Sequence, residues 1–304
     1  MSGESGLGNI CIVGTGTMGE AIMAGLIANA GVAPAKIIAT SRREDRRAYL
    51  NEKYHVTCVD TNDIGSVVKD VDTCILAVKP NAIRDVAGEL NGYAGFAPAR
   101  VVSIAAGITT ETLDGLFNGA DGDAGVTGDA GTDGADVAAS AAGADGTSPV
   151  AIIRVMPNLM LSVGCGMSIV TASSRTSQEE CELIRATFAA MGDAITLGEE
   201  LFDVATAISG SGPAYFAQFI CDLASAGMQN GLSHKQAQKL ALQTMCGTGK
   251  YLQDTGIAPD ALRDAVTSPG GTTQAALKSF QDSKADYAVR RAVDAAVARS
   301  KEMA

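Results

Sequence analysis

The sequence contains few of the side chains that dominate acid–base and nucleic-acid-binding sites. It has no tryptophan, 4% aromatic residues and only two histidines, His55 and His234, both of which we expect at the surface. Its 34 acidic residues outnumber its 23 basic ones, for a net charge of −11. A nucleic acid or an anionic membrane needs a basic face, so neither is an expected partner.

Cysteine is present, but not in an arrangement that indicates metal binding or a disulfide framework. The seven cysteines are scattered, and none forms a C-x-x-C pair. Most lie in apolar runs, which favours buried free thiols in a reducing cytosol, and no metal site is expected. The first residues carry neither the basic nor the apolar region of a secretory signal, and no stretch resembles a membrane span. The sequence predicts a cytoplasmic, globular protein with room for two domains.

The first part of the chain alternates apolar strands with helical segments. Near-continuous runs of Val, Ile and Leu separated by helices are typical of a mostly parallel sheet with helices on both faces. We assign residues 8–198 to this domain. The predicted strands are Asn9–Val13, Lys36–Thr40, Asp72–Val78, Val101–Ala105, Val150–Met156 and Met167–Thr171, with a further short strand after His55.

A Gly/Ala/Asp-rich tract at 119–148 interrupts this pattern. Glycine recurs at every third position from Gly119 to Gly134, and the whole tract to residue 148 holds six acids and no Lys or Arg. Such a composition buries too little to offset the entropy of ordering it. We expect a disordered acidic insertion; an acidic interaction tail is the alternative.

The strand pattern stops near residue 199, and the region 199–304 is predicted to be all-α. Alanine, methionine, leucine and glycine dominate the apolar positions of these helices, and Ser233 is the expected N-cap of the third. So few aromatics suggest that the helices bury their faces against a second subunit. The predicted helices are Leu201–Ala207, Ala214–Asn230, His234–Asp254, Pro259–Val266, Thr273–Gln281 and Ala285–Met303.

A glycine motif directly follows the first strand and opens a helix. Gly14-x-Gly16-x-x-Gly19 in this position is typical of dinucleotide binding, because the glycines let backbone N–H groups approach a pyrophosphate. A tight turn without a ligand is the alternative. The second strand ends in Ser41-Arg42-Arg43 rather than in an acid. A hydroxyl and two guanidiniums suit the 2′-phosphate of NADP, unless the arginines are merely solvated, like Arg46 and Arg47 after them.

Two further strands end in segments that could line a cofactor, Ala77–Pro80 and Ser103–Gly107. Ligands of open parallel sheets lie beyond the carboxyl ends of the strands, although each segment could be a simple turn. No His or Lys base is evident for alcohol oxidation. Hydride addition to a protonated imine fits better, because that substrate carries its own proton.

Five motifs together resemble the pyrroline-5-carboxylate reductases: AVKP (77–80), SIAAG (103–107), RVMPN (154–158), AISGSGPAY (207–215) and LRDAVTSPGGTT (262–273). The match runs in order from about Ile10 to Lys301, apart from the acidic tract. The resemblance implies reduction of 1-pyrroline-5-carboxylate to L-proline with NADPH or NADH. It also implies a Rossmann-like first domain and a helical domain that forms a homodimer, or a ring of dimers.

The resemblance assigns roles to individual residues. Thr273 and Ser268 fall on the family's substrate hydroxyls and are the predicted catalytic residues. The predicted substrate site consists of Gly270, Gly271, Thr272, Thr273 and Asn158. Leu159-Met160 replaces the family's usual Thr-Pro. The expected NADP contacts are Gly14, Thr15, Gly16, Thr17, Met18, Gly19, Ser41, Arg42, Arg43, Asn62, Ala77, Val78, Lys79, Pro80, Ile104, Ala105 and Ala106.

Neutral Gly270 and Gly271 precede a helix, where exposed backbone N–H groups could bind the substrate carboxylate. The Thr273 hydroxyl could then meet the ring nitrogen. An ordinary capped helix start with a proline turn is the alternative for this segment. For the whole chain, the alternatives are another NADP-dependent cyclic imine or ketone reductase, and a nucleotide-sensing protein without turnover.

Overall fold

The computed structural model describes residues 6–119 and 149–303, and contacts divide the chain into two units. The first unit runs to Gly210 and includes the end of the chain from Ser300, whereas the second spans Ser211–Arg299. The predicted domain boundary between residues 198 and 199 stays a prediction. The acidic insertion predicted at 119–148 lies, apart from Gly119, outside the described residues.

The described part of the first unit is built on an eight-stranded sheet of order β3-β2-β1-β4-β5-β6-β7-β8. Strands β1 to β6 are parallel, β7 is antiparallel to β6, and β8 is parallel to β7. The predicted fold class is therefore confirmed. The strands are β1 Ile10–Val13, β2 Ile37–Thr40, β3 Thr57–Val59, β4 Thr73–Leu76, β5 Arg100–Ser103, β6 Ala151–Pro157, β7 Gly166–Ala172 and β8 Gly192–Thr196.

Helices cover both faces of this sheet. They are α1 Thr17–Ala28, α2 Glu44–Tyr54, α3 Ile83–Asn91, α4 Thr110–Asn118, α5 Gln178–Ala189 and the single turn α6 Phe202–Ala205. Alternate residues of β1 point to opposite faces. Ile10 and Ile12 belong to the core under α1, α2 and α5, whereas Cys11 and Val13 belong to the core under α3 and α4. Burial on both faces explains why the strands are uninterrupted apolar runs.

The strand order fixes where a ligand can approach. From β1 the chain passes outward to β2 and β3, then crosses to β4 on the other side of β1. The connections after β1 and β4 thus diverge, which opens a crevice beyond the carboxyl ends of these neighbouring strands. Both the glycine motif and the segment after β4 lie at this crevice.

Two local predictions were wrong. The edge strand β8 was not predicted, because only Ala194 of its five residues is buried and the alternating pattern is weak. The single helix predicted over Leu201–Ala207 is instead a 3-10 turn, α6 and a π-helical segment at Thr206–Gly210. The hydroxyls of Thr206 and Ser209 donate to the carbonyls four residues earlier, and such bonds distort a regular helix.

The second unit consists, in its described residues, of the helices α7 Gly212–Gln229, α8 His234–Thr255, α9 Pro259–Ala265, α10 Thr272–Asp282 and most of α11 Ala285–Lys301. Helices α7 and α8 pack against each other. The predicted cap at Ser233 is confirmed as a capping box with Gln236. Among the described helices, none combines the length and apolar character needed to cross a membrane.

Candidate cofactor and substrate sites

The glycine motif forms a turn that only glycine fits at two of its three positions. Gly14 has φ +98°, and a Cβ there would lie 2.9 Å from both the Ala77 carbonyl oxygen and Val78 Cγ1. A Cβ on Gly19 would lie 2.1 Å from the Gly14 carbonyl oxygen. These two glycines are therefore explained by the packing of the loop against the residues after β4 and by the closeness of helix α1.

Gly16 has no such explanation within the chain. Its φ of −67° is ordinary, and no atom lies within 4 Å of where its Cβ would be. It is the N-cap of α1, and no side chain caps that helix. The N–H groups of Thr17, Met18 and Gly19 precede the first helical bond, from the Glu20 N–H to the Gly16 carbonyl, and lie at the positive end of the helix dipole. An approaching pyrophosphate fits this cradle.

Hydrogen bonds from the end of β2 and from helix α2 fix the glycine loop. The Gly14 N–H donates to Thr40 Oγ1 (3.2 Å), and buried Thr15 Oγ1 donates to the Thr40 carbonyl (3.0 Å). From α2, Arg46 Nε and Nη2 donate to the Thr15 carbonyl at 3.2 and 3.1 Å. These bonds fix the loop before any ligand binds.

Arg46 also belongs to a cluster around Glu20 in the first turn of α1. Glu20 pairs with Arg46 and accepts hydrogen bonds from Tyr49, Lys53 and Tyr54. Burial raises the pKa of the Glu20 carboxyl, but the donors from Arg46, Tyr54 and Lys53 outweigh burial and lower the pKa to about 2. The cluster neutralises an acid that would otherwise repel a phosphate nearby.

The end of β2 presents hydroxyl and cationic groups. Ser41 continues the sheet by donating its N–H to the Val59 carbonyl (3.1 Å), and Arg42 is exposed. Arg43 forms a two-point pair with Asp45, and both side chains are at least 70% exposed. Arg46 is bound under the loop, so it is not another solvated charge. Arg42 and Arg43 remain available to a 2′-phosphate.

Arg47 is likewise engaged, with the Ser41 carbonyl (2.9 Å) and with Asp60 (2.6 Å). Asn62, a predicted cofactor contact, is exposed just after β3, and its backbone N–H donates to Asp60 Oδ1 (3.0 Å). The chain therefore places Ser41 and Asn62 after adjacent strands on the β2 side of the crevice.

The segments after β4 and β5 lie on the other side of the crevice. Ala77 continues the sheet by donating to the Val13 carbonyl (2.9 Å), and Ile104 donates to the Leu76 carbonyl (3.1 Å). Of the residues that follow Ala77, Lys79 is exposed, and Val78 and Pro80 are half-buried. Ala106 and Ile104 are also half-buried. The side chain of Ala105 is 2% exposed, so only its backbone could meet a cofactor.

Asn158 occupies a structural position. It is 8% exposed, and its Oδ1 accepts from the Met160 and Met167 N–H groups at 3.2 and 3.3 Å. Its Nδ2 donates to the Ser209 carbonyl (3.0 Å). The amide thus links the end of β6 to the π-helical segment, and its contact with a substrate stays a prediction.

In the second unit, the two glycines of the hydroxyl-rich loop are not free donors, which corrects one prediction. The Gly270 N–H donates to Gln274 Oε1 (2.7 Å), and the Gly271 N–H donates to the Ser268 carbonyl (3.1 Å). Gly270 has φ +73°, and a Cβ on Gly271 would lie 2.5 Å from Ser268 Oγ. These glycines shape the turn rather than present their amides.

The free donors lie one residue further on. Helix α10 begins at Thr272 without a side-chain cap, and its first helical bond is from the Ala275 N–H to the Gly271 carbonyl. The N–H groups of Thr272, Thr273 and Gln274 therefore have no helical partner. Thr273 is half-buried, and a cavity of about 700 Å³ opens beside the loop, lined by both glycines, Gln274, Arg263 and Lys278.

Sequence reasoning missed two residues of these sites, Arg46 and Gln274. Arg46 was assigned to the solvated start of α2, since the spacing gave no sign that it reaches back to the Thr15 carbonyl. Gln274 follows the glycines by four and three residues, which is within reach of their amides, and that spacing was a usable signal. In the described residues, no group of three or more His, Cys, Asp or Glu could hold a metal.

Two family models match separate parts of the chain. The family model described as "NADP oxidoreductase coenzyme F420-dependent" matches residues 9–107. The model described as "Pyrroline-5-carboxylate reductase dimerisation" matches residues 199–303. The first match covers the glycine loop and the segments after β2, β4 and β5, and the second covers the α10 loop.

Full-length relatives carry the same name. The chain is 35% identical to a pyrroline-5-carboxylate reductase of Synechocystis over 96% of this chain and 97% of that protein. It is 33% identical to that of Pseudomonas aeruginosa over 97% and 96%. Among solved structures, the Coxiella burnetii reductase is similar with a TM-score of 0.80 and 30% identity, covering 98% and 99% of the chains. The Plasmodium falciparum enzyme with NADP bound gives 0.77 and 25%, covering 99% of each.

Proposed function

The chain belongs to the pyrroline-5-carboxylate reductase family, and we propose how its own residues perform that family's reaction. The chain is an NAD(P)H-dependent oxidoreductase that reduces 1-pyrroline-5-carboxylate to L-proline, the last step of proline biosynthesis. A nicotinamide cofactor, when bound, supplies the hydride. The protein has to bind that cofactor, orient the imine and keep both in place.

The observation that carries the substrate assignment is the uncapped start of α10. The N–H groups of Thr272, Thr273 and Gln274 bind the substrate carboxylate, favoured by the helix dipole. The adjacent Thr273 hydroxyl hydrogen-bonds the ring nitrogen and orients the imine carbon. Ser268 keeps the turn closed through its carbonyl bond to the Gly271 N–H.

No general base is required from the protein. The protonated imine brings its own proton, and hydride addition to its carbon leaves the proton on the amine nitrogen. The two histidines are exposed at helix ends, His55 after α2 and His234 at the start of α8. A neutral threonine suffices because its task is to orient the ring, not to remove a proton.

NADPH is the preferred nucleotide in this proposal. Arg42 and Arg43 follow β2, where an NAD enzyme usually places an acid for the ribose 2′-hydroxyl. Arg43 exchanges its exposed partner Asp45 for the 2′-phosphate at little cost, because exposed ion pairs contribute little to stability.

The matched dimerisation region makes this chain an oligomer that acts on a small molecule. We assign the subunit contact to α7 and α8, where Phe216, Leu240 and Tyr251 are at least half exposed in the single chain. A homodimer or a ring of dimers, without nucleic-acid or membrane partners, completes the proposal. A cytoplasmic location is supported by the seven cysteines, all of which are free thiols.

The test is the absorbance of NADPH on addition of substrate. We expect oxidation with 1-pyrroline-5-carboxylate and little with a cyclic imine that lacks the carboxylate. Equal rates on both imines would contradict carboxylate recognition at α10 and favour a general imine reductase. NADPH binding without oxidation would favour a nucleotide-sensing protein.

A further inference from the structure

Arg154 stands in the sheet of the first unit at a place where an apolar residue is expected. It lies in the middle of β6 and is 4% exposed, and its guanidinium carbon is 4.1 Å from the centre of the Phe202 ring. It forms an ion pair with Glu199, the first residue of the 3-10 turn that follows β8. None of these residues has a part in the proposed imine reduction.

Glu199 also binds the start of helix α4. Its second carboxylate oxygen accepts from the Thr110 N–H (3.2 Å) and from the Thr110 hydroxyl (2.7 Å). Thr110 is the first residue of α4 and is itself buried. Arg154, Glu199 and Thr110 therefore form one chain of contacts, which we call the Arg154 network.

The Arg154 network contacts the elements on either side of the segment that follows β5, namely β5 itself and the start of α4. Arg154 pairs in register with Ser103, the last residue of β5. Ser103 Oγ accepts from the Ala105 N–H (3.3 Å), and Gly107 turns the chain with φ +75° towards Thr110. The segment Ile104–Ala106 is thus fixed at both ends, by Ser103 before it and by Thr110 after it.

Stability alone does not account for an arginine here. Among the buried side-chain nitrogens and oxygens of the described residues, Arg154 Nε is the only one without a hydrogen-bond partner. A buried ion pair with an unsatisfied donor is commonly less stable than apolar residues of the same volume. What the arginine contributes is a defined position for Glu199, and through it for Thr110.

A second buried pair of the same sheet shows the contrast. Arg100, the first residue of β5, binds Glu180 through Nε and Nη2, and its Nη1 donates to Thr73 Oγ1 (2.8 Å). The side-chain exposures are 8% and 29%, against 5% and 31% for Arg154 and Glu199. This pair lies at the amino ends of the parallel strands, whereas the crevice lies beyond their carboxyl ends.

We propose that Arg154, Glu199 and Thr110 are positioning residues that set the segment Ile104–Ala106 against the nicotinamide end of the bound cofactor. The proposal rests on the assignment of that segment to the cofactor site. It adds that the affinity for the cofactor depends on a charge pair that never touches the cofactor.

The experiment compares Glu199→Gln with Glu180→Gln. Each change removes the charge of one buried pair and keeps its shape. The dissociation constant for NADPH is measured by nucleotide fluorescence without any imine, and the melting temperature is measured on the same samples. We expect both variants to melt lower, and only Glu199→Gln to bind NADPH about tenfold more weakly, as a displaced contact segment would.

If Glu199→Gln does not fold, two variants of Thr110 make the same test with a smaller change. Thr110→Val removes the hydroxyl bond to Glu199, whereas Thr110→Ser retains it. NADPH binding should weaken in the first variant and stay at the wild-type level in the second. Unchanged binding in Glu199→Gln and Thr110→Val, or equal weakening in Glu180→Gln, would overturn the proposal. A wild-type protein that binds NADPH but reduces no imine would contradict the proposed function alone.

Discussion

The two glycine loops of this protein are held in opposite ways. The Gly14–Gly19 loop is fixed by residues distant in sequence, since Thr40 and Arg46 bind its backbone and Ala77 lies against Gly14. The Ser268–Thr273 loop is fixed from within, since its two glycine amides bind Ser268 and Gln274. Each loop ends at a helix start without a side-chain cap.

This difference matches the tasks proposed for the loops. A loop held by tertiary bonds is ready for its ligand and loses little freedom on binding, which suits a large cofactor. A loop held by local bonds can adjust within a few residues, which suits a small substrate. The glycines also differ in what the fold asks of them: protein contacts leave no room for a Cβ at Gly14 and Gly19, Gly270 has a positive φ angle, and at Gly16 no contact within the chain requires glycine.

The largest effect is expected from Gly16→Val. The new Cβ has no protein atom within 4 Å and the backbone angles of Gly16 are open to valine, so the fold should be retained, but the side chain occupies the approach of the pyrophosphate. NADPH affinity should fall on the order of 100-fold with little change in melting temperature. Gly88→Ala, on α3 and equally open, is the control: it should leave NADPH affinity unchanged and raise the melting temperature slightly, because alanine is favoured over glycine inside a helix. Normal NADPH binding by Gly16→Val would remove the case for a cofactor at this loop.

Thr273→Val tests the substrate loop in the same way. It keeps the shape of the side chain and removes the hydroxyl that orients the imine. Losing such a bond costs about 1–3 kcal/mol, so kcat/KM should fall by about one to two decades while the NADPH dissociation constant stays unchanged. In Ser268→Ala, kcat/KM should fall less. Ser279→Ala, on helix α10 with Thr273, is the control and should leave kcat/KM unchanged. Full activity of Thr273→Val would show that substrate binds elsewhere.

The third prediction concerns nucleotide preference at the end of β2. Replacing Arg42 and Arg43 together with glutamine removes two charged donors, so the KM for NADPH should rise about tenfold and the KM for NADH should hardly change. Lys69→Gln removes an exposed charge before the amino end of β4 and serves as the control. An equal rise for both nucleotides would mean that the arginines do not read the 2′-phosphate.

The cluster of donors around Glu20, beside the first loop, predicts that the stability of the fold depends on pH. The folded pKa of Glu20, about 2, lies below its ordinary value of 4.5. Its stabilisation is therefore present above pH 4.5 and is lost as the pH falls through about 2. Glu20→Gln should cost about 1 kcal/mol at pH 7, with a melting-temperature difference that narrows below pH 4.5. Glu52→Gln, an exposed change on α2, should show no comparable difference. A gap that widens in acid would contradict the stabilisation of ionised Glu20 by Arg46, Tyr54 and Lys53.

The smallest effect is expected from Gln274, the local support of the second loop. Gln274→Met removes the acceptor of the Gly270 N–H and should raise the KM for the imine about twofold. Gln274→Glu keeps an acceptor but places a negative charge beside the proposed carboxylate site, so it should raise that KM more. The opposite order of the two variants would place the substrate carboxylate away from this helix start.

The sequence was sufficient for the features that depend on local pattern. Apolar runs predicted most strands of the sheet, the glycine spacing predicted the loop after β1, and Ser233 was identified as a cap. It was insufficient where distant residues decide. The antiparallel direction of β7, the bond from Arg46 to the Thr15 carbonyl, and the use of the Gly270 amide by Gln274 all depend on side-chain or strand placement that spacing does not reveal.

The central claim is that the chain reduces the imine by direct hydride transfer from its nicotinamide cofactor. It is tested most directly with NADPH that carries deuterium at the transferring position of the nicotinamide. The proline formed should contain one deuterium, at the ring carbon that belonged to the C=N bond, and the label should come from one face of the nicotinamide only. Proline without deuterium, or no proline at all, would contradict the account.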